Sequence, residues 1–320
     1  MTIAQPMPRE PARKAHLFEP IVENHRSTVA PGPLRVVAFN AQGGTRFEGI
    51  LRCFEREPLR RAAIILLSEM DLGTRRAGGR KVASELAHAL GMSCAYVPEF
   101  GLVGADGTTR SFLGNAILSR EPMEDVIAIP LPRVSTRSPH VPRSLGRVRR
   151  QGSQVAIVAT IKVRGKTVHV SVAHLDSRAH PAGRDLQIAT MLDAFPSDGP
   201  AIFGGDLNTT TVEIKNPASL RFVLREMLLN SKRFRHPHAY EPLLARLAEA
   251  GFELRGANAE GRATFTFSRI VPPWMRPKLD WIALRGLEPV AGSAKVIPAR
   301  PSFFSERVSD HDLIAVDVVV

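Results

Sequence analysis

Ala201-Ile-Phe-Gly-Gly-Asp-Leu-Asn-Thr209 is the stretch around which the chain reads. An apolar run ends at Phe203, two glycines clear the backbone of side chains, and Asp206 and Asn208 follow two residues apart. On an extended chain that spacing puts both polar groups on one face. The glycines allow close approach, Asp206 offers a charged acceptor, and Asn208 offers a neutral donor able to bond a phosphoryl oxygen without adding negative charge. Together they can meet a phosphate or a metal-bound water. Alone, the pattern also fits a strand end entering an Asx-type turn.

Working outward, Pro181 to Phe195 reads as a helix that joins the strand Thr167 to Ala173 to the Ala201 strand as a βαβ unit. Leu34 to Phe39 and Ala62 to Ser68 read as buried strands, with helices over Phe47 to Leu59 and Gly79 to Leu90. Further strands fall at Cys94 to Val97, Asn115 to Leu118 and Val155 to Val163, and Arg164-Gly165-Lys166 reads as a hairpin turn in an antiparallel middle. Leu220 to Leu229 and Tyr240 to Ala250 read as helices, and Leu279 to Leu284 and Leu313 to Val320 as closing strands. Residues 1–33, proline-rich and without a sustained period, read as a loosely ordered arm; residues 34–320 read as one α/β domain.

The 320 residues, 44% hydrophobic and 23% charged, describe a soluble globular chain with a sizeable core. No run approaches the ~18 apolar residues of a membrane span, and the first residues lack an apolar signal segment. The expectation is a cytoplasmic protein with no stable membrane insertion. Cys53 and Cys94 are too few for a disulfide framework or a zinc cluster. A net charge of +12 favours polyanionic partners, although it also serves solubility.

On this strand map Asn40, Glu69, His174 and Asp206 each end an apolar strand, whereas Asp280 and the pair Asp310-His311 begin two late ones. If the late strands run antiparallel to the others, all these groups gather on one edge, where ligand sites are usually built. The series Phe39-Asn40, Ser68-Glu69, Gly114-Asn-Ala-Ile117, Ala173-His-Leu-Asp176, Gly205-Asp-Leu-Asn208, Leu279-Asp280 and Ser309-Asp-His-Asp312 resembles, in order, the endonuclease/exonuclease/phosphatase superfamily. The resemblance covers residues 34–320. It implies a four-layer α/β sandwich, two packed mostly antiparallel β-sheets flanked by helices, and Mg2+- or Mn2+-dependent cleavage of a phosphoester. Carried over by position, Asn40, Glu69 and Asp310 are the metal site, and few hard oxygen ligands suit Mg2+. His311, oriented by Asp280, lies near the attacking water, which Asp206 positions or deprotonates. Asn208 and His174 bind phosphoryl oxygens, and Asn115 lies on the substrate side. One metal or two, and Asp206 or His311 as the base, stay open.

Departures within the superfamily narrow the branch. Ser68-Glu-Met-Asp71 replaces the Q-E-T-K of abasic-site repair enzymes, and Thr209-Thr210 and Leu279-Asp-Trp281 depart from the inositol phosphatases. Secreted sphingomyelinases and deoxyribonucleases would want a signal peptide. Arg75 and Arg76, with Arg80 and Lys81, follow the Glu69 strand, and Arg143, Arg147, Arg149 and Arg150 belong to a segment that reads as a long mobile loop. Guanidinium groups so placed suit a polyphosphate, although solvated basic loops are also common. Few Tyr and Trp argue against base-specific recognition. The expected activity is therefore a phosphodiesterase or nuclease acting on nucleic acid. The alternatives are hydrolysis of a phospholipid head group or small phosphomonoester, and a non-catalytic binding module of the same fold.

Overall fold

The computed structural model describes residues 16–25, 31–103, 109–135, 149–213, 217–266 and 271–320. In chain order the strands are β1 (Ile21–Glu23), β2 (Leu34–Gly43), β3 (Ala62–Leu72), β4 (Ser93–Val103), β5 (Thr109–Ser119), β6 (Met123–Pro130), β7 (Arg149–Gly152), β8 (Val155–Val163), β9 (Lys166–Ala173), β10 (Ala201–Asp206), β11 (Asp280–Arg285), β12 (Glu288–Pro289), β13 (Lys295–Ile297) and β14 (Leu313–Val319). The helices are α1 (Phe47–Phe54), α2 (Val82–Leu90), α3 (Pro181–Ala194), α4 (Pro217–Leu229), α5 (Ser231–Arg235) and α6 (Pro242–Glu249).

The central strands are mainly apolar because both of their faces are buried. Val36, Ala38, Ile64 and Leu66 of one sheet meet Ile157, Val170, Val172, Ile202 and Ile282 of the other. The alternate residues point outward. Val37, Phe39, Ile65 and Leu67 pack under Ile50 and Phe54 of α1 and Leu86 of α2. Phe203 and Ala283 pack under Ile188 and Met191 of α3 and Leu243 and Leu247 of α6. The result is a helix, sheet, sheet, helix sandwich, in which each fully buried large apolar side chain contributes about 1.5–3 kcal/mol.

The first sheet runs β1-β4-β5-β3-β2-β14-β12, with β7 on β4 and β13 on β14, and the second runs β11-β10-β9-β8-β6. β2 pairs with β3, and β9 with β10, in parallel, whereas β14 on β2 and β11 on β10 are antiparallel. The ends of four strands thus lie beside the starts of two others. At Gly204 a Cβ would meet Leu66 of the opposite sheet at 2.9 Å, and at Gly205, with φ +131°, it would meet the Ala173 carbonyl at 2.2 Å. Those glycines let β10 sit close against its neighbours just before Asp206.

Three expectations need correction. Ile21–Glu23, inside the stretch read as a loose arm, pairs as β1 with the edge of β4, Ile21 opposite Tyr96. Arg149 and Arg150, at the end of the stretch from Arg133 read as a mobile loop, belong to β7, which pairs along the same strand, and Arg143 and Arg147 lie outside the described residues. Both short strands satisfy the edge of β4 and bring little core face of their own. Finally, α1 stops at Phe54, four residues before Pro58, because a proline interrupts helical hydrogen bonding and restricts the residue before it.

Candidate active site

Asp206 ends β10 directly opposite Asp280, which begins β11. Asn40 lies near the end of β2, opposite Ser68 of β3, and Glu69 follows where the register of β3 slips against both β2 and β5. Glu69 takes φ +54°, so this bulge turns its side chain out of the ladder's alternation. Asn208 is also left-handed, with φ +48°. Each such residue costs about 1–3 kcal/mol, which the packed strands around it offset. The Asn208 backbone N–H donates to Asp206 Oδ1 at 3.0 Å, and its Nδ2 donates to the Leu175 carbonyl at 2.8 Å.

Around Asp206 the groups close in. Asn40 Nδ2 donates to Asp206 Oδ2 at 2.9 Å and to Glu69 Oε1 at 3.3 Å, while its Oδ1 accepts the Gln42 N–H at 3.0 Å. His174 Nε2 stands 3.7 Å and His311 Nε2 3.6 Å from Asp206 Oδ2. Burial raises the pKa of Asp206 against the attraction of His311. His311 Nδ1 and Asp280 Oδ2 are 2.8 Å apart, and the ring packs 4.8 Å from that of Phe265. Burial works to strip the His311 proton, but Asp280, Asp206 and Asp310 outweigh it and hold the pKa at about 10. His311 is therefore an imidazolium near neutral pH, a donor at both ring nitrogens. Ser309 ties this strand start to β2 by donating Oγ–H to the Asn40 carbonyl at 2.7 Å and accepting the His311 N–H at 3.1 Å.

Glu99 was not singled out from the sequence. It is 1% exposed, accepts from Asn115 Nδ2 at 2.8 Å, and places Oε1 4.0 Å from His174 Nδ1. Neither of those facing atoms has a hydrogen-bond partner. Burial raises Glu99 to about pKa 7 against His174, and Glu99 helps to raise His174 against its own burial. The available signal was one acid inside the apolar run Ala95 to Val103. Asn115, expected on the substrate side, is instead fully buried, with its amide donating to Glu99 and to the Val155 carbonyl.

The basic residues divide. Arg75 is exposed on the surface, whereas Arg76 is held by a bidentate pair with Asp71 at 2.6 and 2.8 Å. Arg150 lies over the Phe100 ring at 5.2 Å with Nε buried and unpartnered. Its burial lowers its pKa, against the attraction of Glu99 and Glu69, so its charge is felt at the site.

Two groups of ligating atoms could hold a cation. Asp206, Asp280 and His311 place ligand atoms within 4.8 Å of one another, but the Asp280–His311 bond already engages Nδ1 and one oxygen of that set. Glu69 and Asp310 fit a hard divalent ion better: burial raises Asp310, and the Glu69 and Asp206 charges raise it further, a crowding of like charge that a cation relieves. Asn40 Oδ1 keeps one lone pair free for the same ion.

An α/β sandwich with carboxylates, amides and two histidines converging at the common end of both sheets is the architecture of a phosphoester-hydrolase class. The chain belongs to the Endonuclease/Exonuclease/phosphatase family, whose profile matches residues 37–311. By sequence, no curated protein matches it. Among solved structures it is similar to an endonuclease/exonuclease/phosphatase from Beutenbergia cavernae, with TM-score 0.55 and 19% identity over 90% of this chain and 71% of that one. It is also similar to D. rerio TDP2 complexed with single strand DNA product, with TM-score 0.54 and 16% identity over 90% of this chain and 100% of that one. An AP endonuclease from Archaeoglobus fulgidus matches with TM-score 0.52 and 16% identity, again over 90% and 100%.

Proposed function

We propose that this chain is a divalent-metal-dependent phosphodiesterase acting on nucleic acid. One observation carries the reading: Asp206, a carboxylate with raised proton affinity, sits among proton-bearing groups of Asn40, His174 and His311 beside the acidic pair Glu69 and Asp310. Asp206 accepts the proton of an attacking water, because His311 already holds its own. His311 and His174 donate toward phosphoryl oxygens as charge builds on them, with Asn208 beside them. Asp280 orients His311 and keeps it charged, and Glu99, 4.0 Å from His174 Nδ1, raises the proton affinity of that ring. A divalent cation, Mg2+ or Mn2+, held by Glu69 and Asp310 with Asn40 adjacent, would polarise the phosphoryl group as a Lewis acid.

The choice of nucleic acid rests on Arg150 at the site edge and on Phe303 and Phe304, which stand 76% and 95% exposed on the loop before Ser309. Their rings are 5.3 Å apart, with the Arg300 guanidinium over Phe303 at 5.2 Å. Such a platform stacks bases without reading their sequence. D. rerio TDP2, similar in fold, is complexed with single strand DNA product, which supports the choice of nucleic acid.

The test is a panel of DNA and RNA oligonucleotides, phospholipid and small phosphomonoester, each with Mg2+ or Mn2+ and with excess chelator. Oligonucleotide cleavage that vanishes with chelator is expected, and Glu69→Gln should weaken the metal dependence in a folded chain. Full activity in chelator removes the metal chemistry, and cleavage of lipid or monoester alone removes the nucleic acid.

A further inference from the structure

The segment between Asp206 and Asp280 carries a surface that the site chemistry does not use. α4 turns Val223 and Met227 inward onto Phe234 of α5 and onto Val212, four residues beyond Asn208, and Met275 packs against the same cluster. Arg233 of α5 fastens the unit to the loop after Asn208, donating to Thr211 Oγ1 at 2.9 Å and to the Thr211 carbonyl at 2.8 Å. The opposite side of α4 is exposed, with Arg221 and Arg225 along its middle, Leu224 and Leu228 on one flank and Phe222 and Leu229 on the other. Leu228 and Leu229 are 61% and 65% exposed, with Phe222 and Leu224 also exposed beside them. Trp274, next to Met275, is half exposed. Arg221 and Arg225 share the exposed side of α4, and Lys232 follows on α5. The one carboxylate of α4 and α5, Glu226, is drawn 3.6 Å from Arg233.

Charge and side-chain type together select the occupant. Leu224, Leu228 and Leu229 have no π-face on which a base can stack, so a nucleic acid would leave these three exposed leucines unused. A second copy in a two-fold contact would set Arg221, Arg225 and Lys232 against their own duplicates. An anionic phospholipid surface answers both features: leucines and phenylalanine enter the acyl boundary, tryptophan settles at head-group depth, and the cations meet lipid phosphates and carboxylates. We propose that α4, with Trp274 beside it, is a peripheral docking face for an anionic phospholipid surface. It lies on the membrane rather than crossing it, since no helix among the described residues is long and apolar enough to span. The face is distinct from the site residues, so docking is independent of which phosphoester is cut.

The experiment is co-sedimentation of the full chain with vesicles of phosphatidylcholine alone and of phosphatidylcholine with phosphatidylserine, at low and physiological salt. The chain should bind the serine-containing vesicles, less so as salt rises, with a blue shift of Trp274 emission that Trp274→Phe abolishes; Trp281 is already buried. Leu228→Glu with Leu229→Glu should reduce vesicle binding at least about tenfold while hydrolysis of a soluble diester stays unchanged. Arg221→Gln with Arg225→Gln, which leaves the apolar side chains intact, should lower it about tenfold. The proposal is overturned if the parent chain ignores anionic vesicles or if both double variants bind as the parent does. It is equally overturned if the parent is a dimer in solution that Leu228→Glu with Leu229→Glu dissociates.

Discussion

At the scale of single residues, His311 and Asp280 form one unit. Asp280 is fully buried, with its Oδ2 2.8 Å from His311 Nδ1. His311→Ala should lower kcat on the order of a hundred-fold or more, and adding Asp280→Ala should cost little further, because residues that act as a unit are non-additive. Independent, multiplying losses in single-turnover rates would separate the two. Lys278 is a contrasting case, a lysine 3% exposed with only a 3.4 Å bond to Asn258 and the Trp281 ring 4.4 Å away. Burial lowers its pKa to about 8, against the pull of Asp280. The folded pKa lies below the unfolded one, so the unfolded chain binds more protons from about pH 8 to 10.4, and stability rises with pH across that window. Lys278→Met should stabilise the chain by up to about 3 kcal/mol at pH 7 and by progressively less above pH 8. Denaturant titrations of both proteins across that range give the difference, and parallel curves would show that Lys278 is not held neutral.

At the scale of elements, the loop that carries Asn208 is fixed from below. Arg184 of α3 and Glu241, before α6, form a fully buried pair at 2.5 Å, and Glu241 also accepts the Thr211 N–H at 2.6 Å. Arg184→Met leaves Glu241 buried and uncompensated, and should cost about 3–5 kcal/mol in urea unfolding. A loss below 1 kcal/mol would mean that solvent reaches Glu241. None of this clamp was legible in the sequence, since Arg184 and Glu241 read as ordinary helix residues until α3 and α6 are packed together. The strand ends were legible, because mainly apolar runs that stop at Asn40, Glu69, His174 and Asp206 announce both a buried strand and a polar edge. Glu99 escaped notice because it lies within a strand rather than at its end. β1 and β7 escaped because strands of 3 and 4 residues take their stability from the partner's hydrogen bonds, which no local pattern records.

At the scale of the whole molecule, the charge of +12 makes the substrate question an ionic one. Each phosphate contact with a nucleic acid releases counterions, giving a slope of log affinity on log salt of about −0.7 to −0.9 per contact. Replacing Arg143, Arg147 and Arg149 with Ser should flatten that slope and raise KM for an oligonucleotide, with a minimal diester cut at nearly its original rate. An unchanged slope would remove these arginines from the substrate track.

The pairing of β2 with β14, fastened by Ser309 on Asn40 across 269 residues of sequence, also governs when the molecule becomes active during its own synthesis. Translation at about 5–20 residues per second separates the emergence of those partners by roughly 15–50 s. During that interval the first sheet lacks an inner neighbour for β2, and the edge it leaves open can be claimed by another nascent chain. His311 arrives with the same late strand. An unfinished chain on the ribosome therefore has no assembled centre until β14 has emerged.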